Sequence, residues 1–102
     1  MFNGKKVFVV GTGISGIGAA KLLVAEHAQV VLYDGNEKLR VSDIEAKVSD
    51  KSVTVMVGSY PSGSEKDYDL LVISPGVPVD SPLVISFKDA GVPVWGEIEL
   101  AY

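Results

Sequence analysis

The residues best suited to chemistry begin with a glycine run, Gly11-Thr12-Gly13-Ile14-Ser15-Gly16, which matches G-x-G-x-x-G. Alone the pattern is weak, but its setting raises it. It follows the apolar run Val7 to Val10 and opens a stretch of helical pattern. An acidic residue, Asp34, then closes the next apolar run about 20 residues further on, as the dinucleotide fingerprint asks. Gly11 permits the tight turn, Gly13 lets backbone approach a phosphate, and Gly16 lets the helix lie close on the strand. Free N–H groups at such a helix start carry partial positive charge. With the Ser15 hydroxyl they can hold a diphosphate without a lysine. The competing reading is a glycine turn that serves packing alone.

Two further segments belong beside it. Asp34 can accept hydrogen bonds from ribose hydroxyls or a base N–H, and Gly35 leaves room for a ring against the backbone. The structural alternative is a strand-end aspartate satisfied by nearby backbone N–H groups, with Asn36 capping the second helix instead of meeting a ligand. Ser74-Pro75-Gly76-Val77 follows another apolar run and has proline and glycine in the order of a type II turn. If it emerges next to the glycine loop, Gly76 can bring bare backbone against a base or sugar; otherwise it is a strand exit.

Other residues are assigned to structure. His27 falls at the end of the first helix, where capping or a dipole contact explains it better than catalysis. Glu97 and Glu99 are two carboxylates in a tail, poor evidence for an acid and base pair, and Trp95 is read as packing. Lys5 and Lys6 are solvated charges at a strand start. The absence of cysteine excludes disulfides, thiolate metal sites and a cysteine nucleophile, and a single histidine excludes a multi-histidine metal centre. The net charge of -4 is the wrong sign for general binding to nucleic acid or anionic lipid.

These groups need a scaffold. A chain of 102 residues, 47% apolar and 22% charged, suits one folded domain. The uncharged stretch Val7 to Ala20 holds four glycines, Gly11, Gly13, Gly16 and Gly18, so it suits a strand and turn better than a signal helix. It is also shorter than the roughly 20 apolar residues of a membrane span. A soluble, cytoplasmic monomer is expected. Val7 to Val10, Val30 to Tyr33 and Leu70 to Ile73 read as central parallel strands covered on both faces. Val53 to Val57 makes a further strand, and Val92 to Trp95 another, placed at an edge by Pro93.

Helices are expected over Ser15 to Glu26, with Gly16, Ala19, Ala20 and Leu23 as the inward stripe, and over Glu37 to Val48, with Val41, Ile44 and Val48 inward. A third begins with Ser81 as N-cap and Pro82 at its first position, and ends at Gly91. Ser59 to Asp67 is read as a loop or one short helical turn. Right-handed crossovers then give an α/β, doubly wound sheet of five parallel strands, order 3-2-1-4-5, with helices on both faces. Ligands bind such sheets beyond the carboxyl ends of the strands where the order reverses, between the first and fourth. The loops at that place are Gly11 to Gly16, Asp34 to Asn36 and Ser74 to Val77.

The segments 7 to 16 (VFVVGTGISG), 73 to 77 (ISPGV) and 96 to 102 (GEIELAY), in this order and spacing, resemble the N-terminal domain of the Mur ligases, and most of all its D-glutamate-adding branch. The resemblance covers essentially the whole chain. It implies a Rossmann-like domain over residues 1–96 that holds the UDP moiety of UDP-N-acetylmuramoyl-L-alanine in peptidoglycan precursor synthesis. Residues 97–102 would start a linker. Carried over by position, Gly13, Ile14, Ser15 and Gly16 would hold the diphosphate, Asp34, Gly35 and Asn36 would lie on the uridine side, and Ser74, Pro75, Gly76 and Val77 would border the base. Some relatives have threonine then arginine after the strand-end aspartate, where this chain has Gly35 and Asn36, with Lys38 and Arg40 slightly later.

The resemblance also implies a parent enzyme that uses ATP and magnesium to join D-glutamate to the precursor's carboxylate. No G-x-x-x-x-G-K-[ST] stretch occurs here. The chain is therefore expected to be a fragment without ligase activity of its own, needing absent ATPase and C-terminal domains. Two other classes compete: an NAD-binding module of a dehydrogenase or redox sensor, which leaves the Ser-Pro-Gly loop and the chain ending unexplained, and a scaffold without ligand.

Overall fold

The apolar runs become the strands of one parallel sheet. A computed structural model describes residues 3–11, 14–48, 52–58, 63, 65–74, 77–78 and 80–96, the side chains of residues 14 and 15 excepted. Its strands are β1 (Lys6–Val10), β2 (Gln29–Asp34), β3 (Val53–Val57), β4 (Leu70–Ile73) and β5 (Val94–Gly96). Helices α1 (Ile14–Ala25), α2 (Val41–Val48) and α3 (Pro82–Asp89) connect them, with a short 3-10 turn at Glu65–Asp67 before β4. The order is β3-β2-β1-β4-β5, as the crossover argument requires. β5 lies at the edge, where Pro93 needs no ladder donor, and the Pro93 carbonyl still accepts from the Leu71 N–H at 2.9 Å.

Alternation along the strands divides the interior into two cores. Val7, Val9, Val30, Leu32, Leu70 and Val72 face α1 and α2, meeting Ala19, Ala20, Leu23, Ile44 and Val48. The intervening residues Phe8, Val10, Tyr33, Leu71 and Ile73 face α3, meeting Leu83, Val84 and Phe87. On that second side Phe8 is the hub, with ring centroids 5.4 Å from Tyr33, 5.0 Å from Tyr68 and 5.1 Å from Phe87. Burying side chains of this size contributes about 1.5–3 kcal/mol each, so both faces of the central strands are well held.

The helix ends show where local chemistry departs from expectation. α2 begins at Val41 and not at Glu37, because Asn36 caps a separate turn: its side chain accepts the Lys38 N–H at 3.1 Å and its carbonyl the Leu39 N–H at 3.1 Å. The helix itself starts on the Arg40 carbonyl, which accepts from Asp43 and Ile44. Ser81 and Pro82 do begin α3, but Ser81 makes no side-chain cap bond and its hydroxyl is buried without a partner among the described residues. Proline's fixed φ makes the start there. At the far end Gly91 has φ +83, with Val92 N–H bonded to Phe87 O and Gly91 N–H to Lys88 O, both at 3.0 Å: a Schellman ending. α1 ends in the same way, with Ala28 N–H on Leu23 O and His27 N–H on Val24 O, but its left-handed residue is His27, φ +64.

Candidate functional site

Register brings the predicted loops together. Val10 pairs with Tyr33 on one side and with Ile73 on the other. The next residues, Gly11, Asp34 and Ser74, therefore leave the sheet abreast at its carboxyl edge, on strands about 4.8 Å apart. This is the switch point, since β1 lies between β2 and β4. His27 lies at the opposite edge, its carbonyl accepting the Gly4 N–H at 3.1 Å.

The glycine loop is held by contact too close for any side chain. A Cβ on Gly16 would stand 1.6 Å from the Gly11 carbonyl oxygen, so the start of α1 lies directly on the turn that leaves β1. The Gly11 N–H donates to the Tyr33 carbonyl at 2.7 Å, which fixes that turn against β2. Ile14 is the first residue of α1, so the helix opens immediately beyond the sheet edge. First-turn N–H groups have no acceptor inside a helix, and this end of the dipole favours an anion.

Asp34 ends β2 in a tight local arrangement. Its Oδ1 accepts the Asn36 N–H at 2.9 Å and its carbonyl accepts the Gly58 N–H at 2.9 Å. The local satisfaction anticipated for a strand-end aspartate is thus present, and it also orients the carboxylate. Gly35 and Asn36 are exposed next to it. On the other side of β1, the Ser74 hydroxyl donates to the Val10 carbonyl at 3.0 Å, and the Val77 N–H closes the turn on the Ser74 carbonyl at 3.0 Å. Gly13, Pro75 and Gly76, and the acidic pair Glu97 and Glu99, lie outside the described residues. Trp95 packs half-buried against the α1 and α2 core.

Sequence reasoning missed Tyr33, whose hydroxyl donates to the carbonyl of Gly58. Its only signal is an aromatic with a polar tip directly before the strand-end aspartate. Among the described residues no group of three acidic or histidine side chains is placed to hold a metal ion, and no helix is long and apolar enough to cross a membrane.

The sheet order and the helices on both faces define a doubly wound, Rossmann-like α/β domain. The chain belongs to the Mur ligase family, in its MurD-like N-terminal domain, whose family model matches residues 5–96. A similar curated relative is the UDP-N-acetylmuramoylalanine–D-glutamate ligase of Lachnospira eligens, 56% identical over 98 residues, which are 96% of this chain and 22% of the relative. The chain thus spans about a fifth of that relative's length. Among solved structures, a pseudomurein peptide ligase type C from Methanothermus fervidus matches with TM-score 0.73 and 18% identity over 95% of this chain and 20% of that one. Shikimate dehydrogenase from Aquifex aeolicus matches with TM-score 0.60 and 15% identity over 98% of this chain and 45% of that one. At such identities these two share the fold alone.

Proposed function

We propose that this chain is the substrate-binding domain of an ATP-dependent ligase that joins D-glutamate to UDP-N-acetylmuramoyl-L-alanine in cytoplasmic peptidoglycan synthesis, and so serves cell shape and division. Its own task is to hold the UDP moiety. The observation that carries this reading is the alignment of Gly11, Asp34 and Ser74 at the switch point, with α1 opening at the same edge. The name of the Lachnospira relative supplies the substrate.

In this reading the backbone N–H groups of Gly13, Ile14, Ser15 and Gly16 take the diphosphate, where the helix start favours negative charge. Asp34, Gly35 and Asn36 take the uridine side. Ser74, Pro75, Gly76 and Val77 border the base through the backbone of their turn, because the Ser74 hydroxyl is engaged with Val10. Residues 1–96 form the binding domain and 97–102 lead out of it. The domain contributes orientation: anchoring the nucleotide end fixes where the rest of the precursor extends. The parent's reaction, in which ATP with magnesium activates the precursor's terminal carboxylate for attack by the amine of D-glutamate, belongs to parts of the relatives that this chain does not span. The domain by itself is inactive as a ligase and monomeric.

NAD binding is the reading this one displaces, since the likeness to a dehydrogenase is one of fold and the family match is to Mur ligases. Titrating the isotope-labelled chain with UDP and, separately, NAD decides between them, because amide shifts detect binding of about millimolar strength, roughly -4 kcal/mol. The expected result is shifts at residues 13–16, 34–36, 74, 76 and 77 with UDP alone, Pro75 having no amide proton to follow. The same shifts with NAD but not UDP would overturn the proposal.

A further inference from the structure

A buried tyrosine in a strand needs a partner for its hydroxyl. Tyr33 is 6% exposed, stacks against Phe8, and donates its hydroxyl to the carbonyl of Gly58 at the end of the neighbouring strand β3. Gly58 returns a bond, its N–H donating to the Asp34 carbonyl at 2.9 Å. Tyr33 and Asp34 are therefore both tied to one residue. That residue also seats the following turn, because a Cβ on Gly58 would stand 3.3 Å from the Glu37 Cβ. The Tyr33 hydroxyl in addition lies 3.5 Å from the point where Gly35 would carry a Cβ. The phenol thus lies under the Asp34–Gly35 backbone and clasps it to the end of β3.

We infer that Tyr33 is a positioning residue for the nucleoside end of the ligand, acting through Asp34 and Gly35. The inference rests on the reading of Asp34 to Asn36 as the uridine side. Asp34 is the last residue of its strand, where the ladder stops supporting the chain, and a recognition carboxylate must be held to within about half an ångström. The Asn36 N–H orients the carboxylate within the turn. The Tyr33–Gly58 clasp fixes the turn to the sheet. The glycine turn assigned to the diphosphate is held by different contacts, the close approach of Gly16 to Gly11 and the bond from the Gly11 N–H to the Tyr33 main-chain carbonyl, neither of which uses the phenol hydroxyl.

The two ends of the ligand should therefore separate in a Tyr33→Phe variant, which keeps the ring and its packing. Wild-type and variant chains are titrated with UDP and with inorganic pyrophosphate, and amide hydrogen exchange is followed without ligand. The expected result is UDP affinity weakened about three- to tenfold, pyrophosphate affinity unchanged, and faster exchange confined to Asn36 and Gly58 while Val31 and Leu32 stay protected. Equal loss of both ligands would reduce Tyr33 to general packing and overturn the inference, as would unchanged UDP affinity. A wild-type chain that binds pyrophosphate but not UDP would overturn the uridine-side reading itself. The exchange measurement separately decides whether the clasp holds the turn, and unchanged exchange at Asn36 and Gly58 would count against it.

Discussion

The Ser74 hydroxyl fills the space that a side chain on Gly11 would need, 2.5 Å from where its Cβ would stand, and donates to the Val10 carbonyl at 3.0 Å. The ends of β1 and β4 are thereby locked together beneath the glycine loop. Ser74→Ala should cost about 1 kcal/mol of stability, the ordinary worth of such a bond, and leave the UDP-induced shifts in place. Urea unfolding and the UDP titration read the two parts. A lost UDP response in a variant of unchanged stability would put the hydroxyl on the ligand.

Gly16 and Gly18 share a helix and differ in what surrounds them. Alanine at position 16 would drive its Cβ to 1.6 Å from the Gly11 carbonyl oxygen, an overlap with backbone, and should cost about 3 kcal/mol or more. Alanine at position 18 meets nothing within 4 Å and should stabilise by about 0.5–1 kcal/mol through helix propensity. Thermal melts of the two variants, moving in opposite directions, check the packing assigned to the loop.

The contrast between these glycines shows what a sequence can disclose. β4 was legible to the residue, Leu70–Ile73, because a continuous apolar run between polar turns leaves little freedom, and Pro93 placed β5 at the edge. That Gly11, Asp34 and Ser74 stand side by side followed from topology, since strand order alone decides which strand ends meet. The Tyr33–Gly58 clasp was not legible, because it depends on the register between β2 and β3, in which Asp34 pairs with Val57. Nor was the job of Asn36, as an asparagine before a helix suits a turn cap and a helix cap equally, and only the hydrogen bonds to Lys38 and Leu39 distinguish them.

His27 holds the left-handed position of a Schellman ending that α3 fills with Gly91. Left-handed backbone costs a side-chain-bearing residue about 1–2 kcal/mol, against about 0.5–1 kcal/mol for the extra freedom glycine loses on folding. His27→Gly should therefore stabilise the domain by roughly 0.5 kcal/mol. Since it lies at the amino edge, UDP binding should not change. A destabilised variant would mean that the imidazole makes a contact worth more than the backbone relief.

Gly35 is required neither by backbone conformation nor by packing: its φ is outside the left-handed region, and the nearest atom to an added Cβ is the Tyr33 hydroxyl at 3.5 Å. Gly35→Ala should thus fold with stability within about 0.5 kcal/mol of wild type. If a ring lies on this backbone, the added methyl weakens UDP binding, and the titration shows it. Unchanged affinity would remove Gly35 from the site.

Tyr68 gives the domain a sensitivity to alkali. Burial between Phe8 and Phe87 pushes its phenol above the ordinary 10.0, and the carboxylate of Asp67 pushes the same way. The folded state therefore prefers the protonated phenol more than the unfolded chain does. That preference costs nothing below pH 10.0, where both states keep the proton, and is felt as pH rises past it, where the unfolded chain ionises first and draws the equilibrium toward itself. Tyr68→Phe keeps the ring and has no proton to lose. Urea midpoints taken from about pH 7 to about pH 11 should fall more steeply for wild type than for the variant, with the curves separating only near the top of that range. Asp67→Asn should give an intermediate curve, because it removes the smaller cause and leaves the burial. Curves that stay parallel throughout would mean that water reaches the phenol in solution. Lys6, whose Nζ sits 5.1 Å from the centre of the Tyr68 ring, is the charged neighbour whose movement would admit it.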